Sequence, residues 1–376
     1  MKTVKFYQSQ CDTKDQDLSH TEKSITSSGR KNPSEISRRH FISGAMSMAV
    51  ISGFGFFGNR LIPLKDSVGN LMGKASSALT IIDTHTHFYD PKRATPIGRD
   101  RSIPWPTPNS SLYRQVLPPD WEAIAKPLGM SGTVAIEGGT NWLEDNDWIL
   151  KLAEKHRSIV AFIGNLSGTV IRKGTTEPVW DDMKRFRLEV LRLSKNPLFR
   201  GIRVGGRSVS DDLNSGHYPH FETLANAGLV IDVLGVPATD VIALAKAIPS
   251  LTIVVDHMFN IRGAASPSAK WYSDITALSG PKNIVMKVSG LVEGLDSKQG
   301  DAASALELCR GALDHVYKTF GPERLLFGTN WPVSESKGDM PVVTGIIRKY
   351  FEPKGEDILA GVFAGNAKKY YKYIDR

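Results

Sequence analysis

Two histidines one residue apart, His85 and His87, follow a short apolar run that begins at Leu79. Alternate residues of an extended segment point to the same side, so both imidazoles are expected to project toward one centre. Two neutral imidazoles at this spacing suit a divalent ion, and zinc is the ion expected, because it lowers the pKa of bound water. A polar surface loop is the alternative, which the apolar run before the histidines disfavours. The pair predicts a catalytic site in which His85 and His87 are candidate metal ligands.

Other polar and ionisable side chains lie where later apolar runs end. Glu137 is a candidate general base, a candidate metal ligand or the partner of a cation. Arg203 is a fixed cation suited to gripping a substrate carboxylate, unless it forms an ion pair with Glu137 or Asp232. His257 follows Asp256 and is either a core histidine or a site residue. The remaining members of this set are Lys287, Ser289, Thr329 and Asn330.

Three tryptophans, Trp105, Trp142 and Trp331, lie in segments that follow apolar runs. Large aromatic rings in such loops are suited to forming apolar walls around a ring-shaped substrate. Ordinary loop packing explains them equally well. They are therefore candidate substrate-binding residues.

From residue 79 onward, short apolar runs alternate with longer amphipathic stretches. Such runs are typical of strands buried on both faces, and their alternation with helices favours a parallel sheet. Eight units in about 300 residues predict a (β/α)8 TIM barrel, one domain over residues 79–376, whose active site lies at the carboxyl ends of the strands. An open doubly wound sheet is disfavoured because no glycine-rich turn follows the first run. The predicted strands are Leu79–Asp83, Gly132–Glu137, Ile159–Asn165, Arg200–Val204, Leu229–Leu234, Thr252–Asp256, Asn283–Val288 and Leu325–Gly328.

Residues 1–78 are interpreted as a leader ahead of the barrel. The segment at 37–43, which contains Arg38 and Arg39, is similar to the twin-arginine signal, and a run without charges covers residues 41–58. An uncleaved membrane anchor is the alternative, because the run is nearly long enough to span a bilayer. The leader predicts export to the periplasm or cell envelope, with membrane contact only if it is retained.

The formal net charge of +8 is concentrated in the leader. Residues 1–78 carry 11 Lys and Arg against 6 Asp and Glu, whereas residues 79–376 carry 36 against 33. A folded part so close to neutral gives no reason to expect nucleic acid, which requires positive charge clustered on one face. The predicted partner is therefore a small-molecule substrate.

Five ordered motifs resemble the amidohydrolase-2 family of TIM-barrel hydrolases, in particular its lactonase-like branch. The first is Ile82-Asp83-Thr84-His85-Thr86-His87-Phe88-Tyr89-Asp90-Pro91, and the others cover residues 196–203, 255–257, 287–291 and 327–332. The resemblance extends over essentially all of residues 79–376. It implies a divalent metal, although some lactonase branches resemble metal-free catalysts. It also implies that His257 lines the active site with the histidine pair and that Arg203 binds an acidic or carbonyl group.

Asn330 departs from this resemblance, which implies an Asp at that position as metal ligand or base. An amide cannot take a proton from water and is a poorer ligand for a hard cation. Either Glu137 or Asp256 then supplies the base, or the site binds without turnover. Three functions stay open. The first is hydrolysis of a sugar-acid or aromatic-derived lactone, in which Arg203 and Lys287 hold the negative charge of the substrate. The second is metal-dependent decarboxylation. The third is binding of an acidic sugar or aromatic compound without catalysis.

Overall fold

The computed structural model describes residues 79–94, 105–138, 142–166, 179–216 and 218–376. The predicted leader at 1–78, with its arginine motif at 37–43 and its apolar run at 41–58, lies outside the described residues. In the described part of the chain, no helix combines the length and the apolar character that a membrane crossing requires.

Eight strands form one sheet in sequence order, and each pairs in parallel with the next strand along the chain. The first strand closes against the residues after the last through a Thr86–Trp331 bridge, with the His87 N–H donating to the Trp331 carbonyl at 2.9 Å. The predicted (β/α)8 barrel is thereby confirmed. The strands are β1 (Ile81–His87), β2 (Met130–Ile136), β3 (Ile159–Gly164), β4 (Phe199–Gly205), β5 (Val230–Leu234), β6 (Ile253–Val255), β7 (Ile284–Val288) and β8 (Leu325–Phe327).

Strand β1 continues past its predicted end at Asp83. The register shifts after Asp83, and Thr86 then pairs with Ala135 and His87 with Ile136. The apolar run ends before the backbone pairing does, which is why hydrophobicity alone placed the boundary too early. The two histidines belong to the last part of β1 rather than to the loop that follows it.

Helices connect the strands and cover the outside of the barrel. Side-chain caps define several helix starts: Asp182 accepts hydrogen bonds from two backbone N–H groups, and Ser268, Asp301 and Asp339 accept one each. The helices are Pro118–Ala125, Glu144–Lys155, Met183–Leu193, Gly206–Ser215, Pro219–Asn226, Ala238–Ala247, Ala269–Leu278, Ala302–Phe320, Met340–Phe351, Glu356–Ala360 and Asn366–Tyr371.

The strand side chains divide between the barrel interior and the layer beneath the helices. Val134, Val254 and Leu326 are buried in the interior cluster, whereas Ile231 packs in the cluster shared with the helices. Tyr371, near the C-terminus, joins the interior cluster. The side chains at the carboxyl ends of the strands are polar, and they form the site described next.

The chain after β6 makes one left-handed turn, His257–Asn260, in which all four residues have φ between 48° and 61°. This conformation costs roughly 1–2 kcal/mol per residue for L-amino acids, so neighbouring contacts must hold it. The Trp271 indole N–H donates to the Met258 carbonyl at 2.9 Å. Gly290, at φ 68°, passes so close that a Cβ there would lie 2.6 Å from the His257 Cβ. The turn fixes the position of the His257 imidazole.

Candidate active site

Three imidazoles meet at the carboxyl ends of β1 and β6. The ring centroid of His85 lies 4.9 Å from that of His87 and 4.3 Å from that of His257. The Nε2 atoms of His85 and His87 are 3.2 Å apart. All three residues are buried, with exposures of 0%, 4% and 9%. The predicted convergence of these histidines on one centre is therefore what the structure shows.

Asp83 holds the histidine strand in place from the side facing the helices. Its Oδ1 accepts hydrogen bonds from the backbone N–H groups of His85 at 3.1 Å and Thr329 at 2.9 Å. Its Oδ2 accepts from the Thr86 hydroxyl at 3.0 Å and the Trp121 indole at 3.3 Å. One carboxylate thus ties β1 to the segment after β8 and to the helical layer, which fixes the register of the histidine strand.

Lys287 lies fully buried on β7, next to the histidines. Its Nζ is 2.5 Å from Asp232 Oδ2, 3.1 Å from His85 Nδ1 and 3.1 Å from Asp256 Oδ1. Tyr371 donates to the other oxygen of Asp232 at 2.9 Å. The sequence suggested that Lys287 holds a substrate's charge, but its three N–H groups face three protein partners instead. Its role in this arrangement is to neutralise two buried carboxylates.

The histidines are neutral at physiological pH. Burial lowers the pKa of His87 to about 4 and that of His257 to about 3, and it lowers the pKa of His85 well below its usual value. The nearby cations Lys287 and Arg203 act in the same direction. Neutral imidazoles are the form that accepts protons and binds metals.

The hydrogen bonds select one tautomer for each ring of the pair. The Nδ1 of His87 is 2.9 Å from the Glu137 carbonyl and must donate to it, so the Nε2 of His87 carries a lone pair. The Nε2 of His85 then donates to that lone pair, and the Nδ1 of His85 accepts from Lys287. A directed chain of hydrogen bonds therefore runs from Lys287 through both histidines to Glu137.

Arg203 and Glu137 form an ion pair beside this chain. The Arg203 Nε donates to Glu137 Oε1 at 2.7 Å, and its NH2 donates to the same oxygen. The NH1 atom lies 4.0 Å from Asp256 Oδ2. The alternative in which Arg203 pairs with Glu137 is thus the one observed. The guanidinium still faces the cluster, since its neighbours there are Glu137 and Asp256.

The donor set fits a divalent metal ion. His85, Asp256 and His257 each offer a ligand atom, and these atoms lie within 4.8 Å of one another. Both carboxylate oxygens of Asp256 are buried, and Lys287, 3.1 Å from Oδ1, helps to keep the carboxylate in the charged form that binds a cation. Lys287 opposes such an ion by repulsion. The predicted pair of metal ligands differs from this cluster, because His87 contacts the Nε2 of His85 and is not a member of it.

Asn330 follows β8 in the left-handed region, with φ 56°. Its side-chain N–H donates to Glu293 Oε1 at 2.7 Å. Burial raises the pKa of Glu293 to about 7. Glu293 is not among the site residues predicted from the sequence; the signal for it there is an acidic residue in the loop after β7.

The three tryptophans occupy different environments. Trp105 meets His87 edge-on at 5.8 Å between ring centroids and is the one that borders the histidines. Trp142 is 7% exposed, and Trp331 is 1% exposed with its indole N–H donating to Glu335 at 2.7 Å. Rings buried to this degree serve packing in this conformation, so Trp105 is the member of the trio placed to contact a substrate.

A cavity of about 390 Å³ lies at the carboxyl ends of β5 and β6. Asp256 belongs to both the cavity wall and the metal-ligand cluster. Phe259 and Asn260 of the left-handed turn line the same space. Its volume falls within the range of roughly 300–1,000 Å³ that is usual for small-ligand sites.

An eight-stranded parallel barrel that gathers neutral histidines and carboxylates at the carboxyl ends of its strands is the architecture of a barrel enzyme. The sequence profile of the amidohydrolase family (Amidohydro_2) matches residues 82–373, and the chain belongs to that family of hydrolases.

Curated relatives and a solved structure agree with this assignment. The chain is 28% identical to an L-fucono-1,5-lactonase of Burkholderia ambifaria over 305 residues, covering 78% of this chain and 96% of that protein. An L-fucono-1,5-lactonase of Burkholderia multivorans is 24% identical over 288 residues, covering 73% and 89%. A zinc-bound crystal structure of an amidohydrolase from Burkholderia multivorans superposes with a TM-score of 0.63 at 22% identity, covering 78% of this chain and all of that one. The predicted family and fold are confirmed.

Proposed function

We propose that this protein hydrolyses the lactone of a sugar acid, with a six-membered sugar lactone as the leading substrate class. The cluster of three neutral, buried imidazoles beside Arg203 carries the proposal, because acyl hydrolysis needs fixed hydrogen-bonding groups and positive charge around one carbonyl group. The two relatives of this chain that are named L-fucono-1,5-lactonases support the same substrate class.

His257 is placed to stabilise the oxyanion. Its Nδ1 lies 3.0 Å from the Ser289 hydroxyl. When that hydroxyl donates, the proton of the neutral ring sits on Nε2, which then donates to the carbonyl oxygen as negative charge develops. Because Gly290 and the left-handed turn hold the ring, this donor is preorganised before the substrate binds.

His87 and Arg203 contribute to binding and orientation. When the hydrogen bond from His85 is broken, the lone pair on His87 Nε2 can accept a hydrogen bond from water or from a substrate hydroxyl. Arg203 supplies fixed positive charge near the carboxylate that hydrolysis generates. Trp105, beside His87, gives the sugar ring an apolar face.

A divalent ion, when bound, would be held by His85, Asp256 and His257, and it would polarise the carbonyl and acidify water. Zinc is the ion that we propose, since two imidazoles and one carboxylate suit it. With the ion bound, the coordinating nitrogen of His257 would not donate to the oxyanion, and the ion would supply that stabilisation, while His87 and Arg203 would keep the roles given above.

We further propose that the reaction takes place outside the cytoplasm. The support is the arginine pair at 38 and 39, followed by the uncharged run at 41–58. A protein exported by this route crosses the membrane folded, which suits a barrel that carries a metal.

The test is a screen of purified protein against sugar-acid lactones, pyrone lactones and aromatic acids, followed by acid release. Hydrolysis of sugar lactones is expected. His87→Ala is expected to be inactive, and the control variant Lys282→Met, which changes an exposed lysine, is expected to be fully active. Release of CO2 from an aromatic acid without lactone hydrolysis would establish a decarboxylase instead. Saturable binding of a sugar acid with no turnover of any compound would establish a binding protein.

A further inference from the structure

Glu293 is a buried carboxylate that the hydrolytic steps above do not use. It lies in the short turn Val292–Gly294 after β7. Its Oε1 accepts the hydrogen bond from Asn330, and its Oε2 is buried without a hydrogen-bond partner among the described residues. A buried oxygen of this kind is free to accept a proton.

The other carboxylates of the site all have partners: Asp83 accepts hydrogen bonds from neutral donors, and the remaining three are each paired with a cation. Glu137 accepts two hydrogen bonds from Arg203. Asp232 binds Lys287 and Tyr371. Burial alone would raise the pKa of Asp256, but Lys287 and His85 hold that pKa well below its usual value. A carboxylate stabilised in its charged form is a weak proton acceptor.

The surroundings of Glu293 differ from these, because no cation among the described residues contacts it. Burial is the dominant influence, and it raises the pKa of Glu293 to about 7 despite the hydrogen bond from Asn330. The turn Val333–Ser336, after β8, packs against the Glu293 turn and carries Glu335. That second carboxylate is already engaged by Arg114 and by the Trp331 indole. A base is most effective when its pKa lies near the working pH.

Asn330 links Glu293 to the barrel mouth. It follows β8 directly, and its backbone carbonyl accepts from Ser334 N–H, which fixes the segment. The preceding Gly328 comes so close to β1 that a Cβ there would lie 3.1 Å from the His85 Cβ. The next residue, Trp331, accepts the backbone N–H of His87 with its carbonyl at 2.9 Å, so Asn330 lies beside the end of the histidine strand, and its side chain bonds to the Glu293 carboxylate there.

We propose that Glu293 Oε2 is the proton acceptor for the attacking water, with Asn330 orienting the carboxylate. This inference rests on the proposed lactone hydrolysis. The water oxygen bonds to the carbonyl carbon while one of its protons passes to Glu293. The tetrahedral intermediate then collapses with cleavage of the ring C–O bond, and Glu293 returns the proton to the departing ring oxygen. The product is an open hydroxy acid, which ionises in solution.

The experiment compares the wild type, Glu293→Gln and the matched control Glu307→Gln, which changes an exposed glutamate on the helix Ala302–Phe320. Glutamine keeps an oxygen for Asn330 but cannot take a proton. We expect kcat to fall about 10²–10⁴-fold in Glu293→Gln with KM nearly unchanged. The decline of kcat/KM below about pH 7, present in the wild type, is expected to disappear from the residual activity. The control variant is expected to match the wild type in both respects.

A second variant, Asn330→Asp, tests the ionisation of Glu293 while keeping the Glu293 side chain. A second carboxyl beside Glu293 disfavours its ionisation, so the acid limb of the profile is expected to move to higher pH. A purely structural Glu293 would leave that limb where it is.

Three outcomes would contradict these proposals, and they distinguish failure of the Glu293 role from failure of the proposed function. If Glu293→Gln keeps wild-type kcat and the same acid limb, the inference is wrong while lactone hydrolysis stands. If the limb does not move in Asn330→Asp, Glu293 is not the titrating base. If the wild type hydrolyses no lactone, the proposed function itself is wrong, and the role given to Glu293 is wrong with it.

Discussion

Replacement of Lys287 by methionine is expected to destabilise the barrel strongly. Methionine keeps the length and apolar stem of the side chain and removes the ammonium. That ammonium lies 2.5 Å from Asp232 and 3.1 Å from Asp256, and all three side chains are fully buried. The substitution therefore leaves two carboxylates in the barrel interior without their shared cation.

The size of the effect follows from this burial. Breaking a buried ion pair by removing one partner costs about 3–5 kcal/mol. Asp232 can escape part of this penalty by protonation, because burial already raises its pKa to about 6 even with Lys287 present. Protonating a group one unit above its pKa costs only about 1.4 kcal/mol. Since protonation relieves Asp232 but not Asp256, we expect a loss at the lower end of that range, about 3 kcal/mol, in the free energy of unfolding at neutral pH.

The loss of stability in Lys287→Met is expected to depend on pH. In the variant, the pKa of Asp232 rises further, so the penalty exists where this group is ionised and fades as the pH falls through its folded-state pKa. The difference between wild type and variant is therefore expected to be smaller at acidic than at neutral pH. A loss caused by poor packing of methionine would not depend on pH.

Urea unfolding followed by tryptophan fluorescence measures the difference, with Lys282→Met, an exposed lysine just before β7, as the control. The double variant Lys287→Met with Asp232→Asn is expected to recover part of the loss, because it removes one of the stranded charges. A loss below about 1 kcal/mol at neutral pH would refute the account of Lys287 as a buried counter-ion. So would a double variant no more stable than the single one.

Three further predictions concern the leader, the histidines and the buried glutamate. Changing Arg38 and Arg39 to lysine is expected to trap the precursor in the cytoplasm, and normal export of that variant, seen by cell fractionation, would rule out the twin-arginine route. His87→Ala is expected to abolish turnover with an unchanged circular dichroism spectrum, and His85→Ala to do the same with a lower Tm, because His85 is fully buried; near-normal turnover in either would place the catalytic centre elsewhere. The pKa of Glu293 rises from 4.5 to about 7 on folding, so the free energy of unfolding of the wild type should fall by about 1–3 kcal/mol relative to Glu293→Gln as the pH rises between those values. Urea unfolding at several pH values measures this difference, and a difference that does not change with pH would contradict the prediction.

The barrel could be predicted from the sequence because its signal is repeated eight times. Each strand is a brief apolar run, and each is followed by an amphipathic helix, so errors at single boundaries do not change the fold. The error at β1 shows the limit of this signal. The polar residues Thr84 to His87 continue the strand through backbone pairing with β2, which hydrophobicity does not report.

The candidate site was predictable to the extent that it lies at strand ends. His85, His87 and His257 were found in this way, since the carboxyl ends of barrel strands converge. Their partners were harder to find. Whether Arg203 pairs with Glu137 or with a substrate depends on distances that a sequence does not contain.

Two residues of the site could not be predicted from the sequence, for physical reasons. Tyr371 reaches Asp232 from a helix at the C-terminus, far along the chain from any strand, and no spacing rule connects the two. Glu293 resembles any loop glutamate until its burial and its bond to Asn330 are seen. Both are cases in which tertiary packing, rather than residue type, confers the role.

The central claim, that this amidohydrolase-family barrel hydrolyses sugar-acid lactones, is tested most directly by one rate measurement. Purified wild-type protein, with and without added zinc, is mixed with freshly prepared six-carbon sugar 1,5-lactones, and acid release is followed by a pH indicator. The account predicts saturable hydrolysis well above the spontaneous rate for at least one lactone, and none with His87→Ala. If the wild type, in both metal conditions, opens none of these lactones faster than buffer does, the account is contradicted.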